Sequence, residues 1–186
     1  MAYPAEKKTK YTYEDYLRIP EDKRYELIGG ELIVVPSPKT KHQRISAELG
    51  FLLMSYVKEN NAGVIFYAPY DVYFDEENVV QPDILFVSKE RQDVITEDNV
   101  KGAPDLVVEI VSPSSGYYDL VKKKKLYARF GVKEYWLVDP EEKTVEIYLL
   151  EKDTGSFEPA QSLSEKDQLT SKTFPGLSID LNKLFE

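Results

Sequence analysis

The sequence predicts an α/β fold, a mixed β-sheet with helices packed on both faces. Three observations carry that reading. Residues 106–111 are apolar except for Glu109, the mark of a short strand buried on both sides. A helical pattern over 118–130 and a second apolar run over 134–138 follow it, the order of a right-handed crossover between parallel strands. Upstream, residues 40–60 repeat apolar side chains at three- and four-residue spacing (Ile45, Leu49, Leu52, Leu53, Tyr56, Val57), which predicts a long amphipathic helix.

Taken in order, residues 1–10 are polar and predicted to fray. Thr12 can cap a short helix, with Asp15 in the capping-box position and Pro20 near its end. Residues 25–35 read as a hairpin turning at Gly29-Gly30, closed by Pro36 and Pro38. After the long helix, Asn60, Asn61 and Gly63 stop the chain. Strands are expected over 64–67, 70–74 and 79–87, with a turn at 75–78. Residues 88–103 are polar, with one short helical turn. Gly131 closes the helix of 118–130. Two strands, 134–138 and 144–150, flank a turn at Asp139-Pro140. A weak strand near Phe157 and a closing segment, 174–181, complete the chain. Without its ends the core order is α-β-β-β-α-β. A single domain over 1–186 is expected.

Composition narrows the function. Among 186 residues there is no Cys and one His, so a metal site must be built mainly from carboxylates, which suits a hard cation. The N-terminus lacks the apolar core of a signal peptide, and no apolar run is long enough for a membrane span. A cytoplasmic protein is the expectation. The net charge of -9 argues against nucleic-acid binding by bulk charge. Locally the balance differs. Lys122, Lys123, Lys124, Lys125, Arg129 and Lys133 cluster in one segment, and Lys39, Lys41 and Arg44 in another.

Two carboxylates stand where apolar residues belong. Glu109 interrupts the buried strand, and a buried carboxylate needs a partner, a metal or a raised pKa. A plain ion pair with a core-facing cation is one reading. Asp83 interrupts the strand of 79–87 just after Pro82, which cannot donate to a sheet ladder. Such irregularities re-aim side chains at sites, although a solvent-facing bend fits too. At about 100° per residue, Lys123 falls inside the apolar stripe of its helix, between Phe130 and Tyr127. Lys124 borders that stripe, and Lys122 and Lys125 point away. An inward Asp, Glu and Lys form the parts of a metal-dependent phosphodiester hydrolase. Two carboxylates suffice for Mg²⁺, which activates water and stabilises phosphoryl charge, while an ammonium offsets that charge.

Pro82-Asp83 followed by Glu109-Ile110-Val111 resembles the PD-(D/E)XK nuclease signature. Within that superfamily the chain resembles the Uma-two-type restriction endonuclease family. The matching segments are residues 24–32, 42–45, 80–84, 102–114, 119–127 and 131–140. The resemblance implies a restriction-endonuclease-like core, with Asp83, Glu109 and Lys123 as catalytic residues. It implies Mg²⁺ held by Asp83 and Glu109, with Mn²⁺ as substitute, and DNA as partner. One departure stands out. Val111 occupies the position of the superfamily's lysine, and Lys123 on the following helix matches the family's relocated lysine.

Accessory candidates are Glu31, beside the Gly-Gly turn with Glu26, and Glu48 on the long helix, where superfamily sites recruit a further acid. Glu26 and Glu31 read equally as an exposed hairpin. His42 can shuttle a proton or contact phosphate, or lie on the surface. Gln81 can line the site beside Asp83. Ser112, Ser114 and Ser115 lack a triad partner and read as a capping loop. Tyr117 and Tyr118 can stack on bases. The leading expectation is a DNA endonuclease of restriction type, with a homodimer plausible for cutting two strands. The alternatives are an inactive nuclease fold serving as a binding or interaction module, and a hydrolase of small phosphodiesters.

Overall fold

The chain passes from one sheet to the other at Pro82, and that crossing sets the position of Asp83. The structure, a computed structural model, describes residues 9–20, 23–112 and 117–186. The expected fraying of the first residues, the Ser114-Ser115 capping loop and the Tyr117 and Tyr118 side chains lie outside what is described.

The first sheet has five strands in the order β2-β1-β5-β4-β7. Strands β1 (Arg24–Ile28) and β2 (Glu31–Val35) form the hairpin read from the sequence. Gly29 and Gly30 both hold positive φ in its turn, a conformation that favours glycine. The short helix α1 (Tyr13–Tyr16) precedes it, and its Thr12–Asp15 capping box is formed. Strands β3 (Gly63–Tyr67), β4 (Asp71–Asp75) and β5 (Asn78–Val80) follow α2 (Thr40–Glu59). The strand expected over 79–87 is two strands. β5 ends at Val80 in the first sheet and β6 (Ile84–Ser88) begins in the second. Pro82 is the cause, since it lacks the N–H that a continuous ladder requires.

The polar stretch after β6 holds a 3₁₀ turn (Lys89–Val94) and an additional short strand, β7 (Asn99–Lys101), parallel to β4. The second sheet has six strands in the order β11-β10-β9-β8-β6-β3. Its centre is β8 (Leu106–Ile110), parallel to β9 (Glu134–Asp139) across helix α3 (Tyr117–Phe130). β10 (Thr144–Glu151) and β11 (Ser156–Ser164) extend it antiparallel. β11 runs nine residues where the sequence showed only a weak signal near Phe157. Most of its side chains face water, so it has little apolar alternation to read. The small pair β12 (Gln168–Thr170) and β13 (Ser178–Asp180) and helix α4 (Leu181–Phe185) close the chain.

The strand period divides the core. Ile84, Phe86, Leu106, Val108, Ile110, Trp136 and Val138 pack against Leu49 and Leu53 of α2 and Leu184 of α4. On the other face Leu85, Val87, Val107 and Tyr135 meet α3 and the first sheet through Tyr127, Ile28 and Val80. Glu109 alternates onto this second face. Two buried acids belong to the scaffold. Glu134 accepts from Trp136 Nε1, Ser171 Oγ and the Thr173 N–H, and so ties the C-terminal segment down. Asp105 pairs with Arg91 and Lys133. Among the described residues no helix is long and apolar enough to cross a membrane.

Gly63 shows how tightly β3 meets β6. A Cβ there would lie 2.2 Å from the Val87 carbonyl oxygen. Gly63→Ala is expected to destabilise the protein by about 2–3 kcal/mol in urea unfolding, because backbone cannot yield as a side chain can.

Candidate active site

The β6–β8 register sets the site. Ile84 faces Val108, so one further step places Asp83 opposite Glu109. The Asp83 Oδ2 atom accepts the Ile110 N–H at 2.8 Å, which locks its carboxylate beside β8. The same oxygen meets His42 Nε2 at 3.2 Å. His42 comes from the first turn of α2 and is buried. Burial pushes its imidazole pKa down, but the hydrogen bond and charge of Asp83, with Glu109 beyond, outweigh it and raise it.

Glu109 is surrounded. Its Oε1 accepts from Lys123 Nζ at 3.0 Å and from the Tyr127 hydroxyl at 2.5 Å, both on α3. Lys123 Nζ also lies 2.8 Å from Glu26 Oε1 on β1. The same Glu26 oxygen accepts the Gln81 N–H at 2.8 Å. The Gln81 side chain accepts from Arg24 Nε at 3.0 Å and donates to Asp71 at 2.8 Å. Asp83, Glu26, Glu109, Lys123, His42, Gln81 and Arg24 line one cleft of about 420 Å³.

Charge follows from this packing. Burial raises the Glu109 carboxyl to about 7, with Asp83 and Glu26 adding to the rise and Lys123 opposing it. Lys123 is held firmly protonated. Burial alone would lower it, but the carboxylates of Glu109 and Glu26 outweigh that effect. Burial and the neighbouring Glu109 charge push the Tyr127 hydroxyl well up, so it remains a donor.

The residues singled out by sequence therefore divide. Asp83, Glu109, Lys123, His42 and Gln81 share the cleft. Glu31 does not; it is exposed and bound to Lys122 at 2.6 Å. Glu48 also lies outside, on the exposed side of α2. For Glu48 the reason is helical phase. For Glu31 it is position along the hairpin: Glu31 pairs with Ile28 in the register and so shares the face of Glu26, but it lies at the exposed turn end and meets Lys122 instead of Lys123. Glu26 is the acid that the exposed-hairpin reading missed. Its signal was the apolar company of Leu27 and Ile28. The surface position considered for His42 is likewise replaced by a buried one. Lys125 is exposed, as the helical wheel requires, and Lys124 lies over the Tyr148 ring at 3.2 Å.

The donor set fits a hard divalent cation. Neither Asp83 Oδ1 nor Glu109 Oε2 has a protein hydrogen-bond partner among the described residues. Glu109 and Glu26 share the buried Lys123 ammonium, and the charges of Asp83 and Glu26 act against that of Glu109, a repulsion that a cation relieves. Among the described residues no group of three or more His, Cys, Asp or Glu side chains is assembled as a cage. Two protein carboxylates with water completing the shell is the arrangement usual for Mg²⁺.

A central mixed sheet in the order α-β-β-β-α-β, with acids at a sheet junction, defines a restriction-endonuclease-like fold. The chain belongs to the Uma2 family, described as "Putative restriction endonuclease", whose signature matches residues 13–182. A solved structure with the same fold is described as a putative nuclease belonging to DUF820 from Anabaena variabilis. It is 24% identical, with a TM-score of 0.77, covering 94% of this chain and 97% of that one. No curated protein matches the chain.

The Glu109 titration has a thermodynamic consequence. Between pH 4.5 and about 7 the folded protein keeps a proton that the unfolded chain has released, so stability falls as pH rises through that window. The full effect, on the order of 3 kcal/mol, is present above pH 7. Glu109→Gln removes this titration and keeps the shape. In metal-free buffer its Tm relative to wild type should rise between pH 5 and pH 8 by roughly 5 °C or more. A difference independent of pH would contradict the assignment.

Proposed function

We propose that the protein is a Mg²⁺-dependent DNA endonuclease, with Asp83, Glu109 and Lys123 as its catalytic residues. The observation that carries this reading is the buried Lys123 ammonium, 2.8 Å from Glu26 and 3.0 Å from Glu109, in a cleft shared with Asp83. The family description is the second support.

Asp83 and Glu109 would hold the metal, which when bound supplies Lewis-acid stabilisation of the phosphoryl charge and a nucleophile at neutral pH. Asp83 is oriented for this by the Ile110 N–H and by His42. Glu109 must release its proton before it can act as a ligand, so metal and proton compete for it and metal binding weakens as pH falls. Lys123 does not act as a base, because its neighbours hold it protonated. Two of its three N–H donors go to Glu26 and Glu109. The third remains for a phosphoryl oxygen, where a fixed positive charge offsets charge that builds during cleavage. Glu26 is a positioning residue, since it aims Lys123 and itself accepts from the Gln81 backbone. Lys39 and Arg44, exposed on the first turns of α2 that wall the cleft, supply local positive charge for the DNA backbone despite the net charge of -9.

The test uses supercoiled plasmid with Mg²⁺ or Mn²⁺ at pH 8. Wild type should nick or linearise it, and EDTA should abolish cleavage. Asp83→Asn, Glu109→Gln and Lys123→Ala should each lower the rate by about 10²-fold or more. Cleavage that survives all three substitutions would mean the site lies elsewhere. An inactive wild type whose Mn²⁺ binding is absent by calorimetry would point to the interaction-module alternative.

A further inference from the structure

The described residues form a second cleft, of about 600 Å³, under α3 at the carboxyl ends of the parallel strands β8 and β9. It shares Ser112 and Leu120 with the first cleft, so the two lie side by side. Val111, the residue in place of the superfamily's lysine, joins Leu120 and Leu137 in its apolar lining. Tyr148 adds an aromatic wall, with the Lys124 ammonium over its ring and its hydroxyl bonded to the Glu146 carboxylate. Tyr135 lines the cleft too. It is fully buried, and its hydroxyl has no hydrogen-bond partner among the described residues. Leaving a hydroxyl buried and unpaired is costly, so the group calls for an explanation beyond packing.

Chemistry selects the ligand. Apolar and aromatic walls with a few convergent polar groups describe a small-molecule site rather than a solvated groove. Lys124 stands against two carboxylates, Glu146 and Asp139, so a polyanion would be repelled more than it gains. A flat, neutral group carrying both donors and acceptors suits the set. Nucleobases are such groups, and enzymes read an unstacked base by stacking together with hydrogen bonds to its edge.

We propose that this second cleft holds an unstacked base of the substrate strand, next to the phosphate in the first cleft, and that guanine is preferred. Guanine alone among the four bases offers two adjacent N–H donors to one carboxylate, here Glu146. Its O6 acceptor lies beside them, within the same edge, for Lys124 or the Tyr135 hydroxyl. The inference rests on the nuclease reading, because it takes the neighbouring cleft as the phosphate site.

The experiment titrates the full chain with the four deoxynucleoside monophosphates, and with inorganic phosphate, by calorimetry in EDTA. Deoxyguanosine monophosphate should bind most tightly. Glu146→Gln and Tyr135→Phe should each weaken it about 10-fold. Tyr135→Phe should also leave Tm unchanged or higher, since it deletes an unpaired hydroxyl. A purely packing role for that hydroxyl predicts no change in binding. No binding of any base, equal binding of inorganic phosphate, or binding insensitive to both variants would overturn the proposal. Plasmid cleavage alongside such a failure leaves the nuclease reading standing and removes the base pocket alone. Nucleotide binding with the expected losses, but without cleavage, upholds the pocket and overturns the nuclease reading alone.

Discussion

One buried ammonium joins the two halves of this molecule. Lys123 reaches from α3 to Glu26 on the first sheet and to Glu109 on the second. Removing either partner of such a contact leaves a charge in a low-dielectric interior, which costs far more than the pair gains when intact. The contact therefore fixes the relative setting of hairpin, central strand and helix. It does so with groups that also repel one another, since Glu26, Glu109 and Asp83 all face one cleft. That mutual repulsion is poor design for a scaffold, and a bound cation would relieve it.

The other buried acids make the contrast plain. Asp105 has two cationic partners and a backbone N–H, and Glu134 has three donors. These carboxylates are satisfied by the protein and hold loops against the sheet. Among the described residues, Asp83 and Glu109 each place both of their hydrogen bonds on one oxygen. A buried acid alone thus says little; its unfilled acceptor capacity marks the site.

Moving the lysine from strand to helix has a structural consequence. On a strand, Val111 continues the alternation begun by Glu109, and it lines the second cleft instead of carrying a charge. On α3, the ammonium comes down onto Glu109 from the helix that covers this face of the sheet, together with the Tyr127 hydroxyl. The lysine can then span two carboxylates from different sheets, and an apolar wall is left where a strand lysine would have stood.

The sequence by itself determined the hairpin, both long helices, the central strand and the inward phase of Lys123. Each of these follows from local period, caps or turn residues, such as Gly29-Gly30 and the Thr12–Asp15 box. It also exposed Asp83 and Glu109, because a carboxylate inside an apolar run breaks its pattern. Other features were decided only by tertiary structure. Pro82 signalled an irregularity but not that β5 and β6 would enter different sheets, because pairing partners are chosen by distant strands. Glu26 could not be separated from Glu31 by periodicity, since the two share one face of the hairpin and only the packing of α3 decides which of them is covered. His42 became a buried partner of Asp83 only when α2 packed across the sheet. The physical reason is common to all three: sequence periodicity records which side of an element is apolar, whereas the meeting of polar groups depends on which elements are brought together.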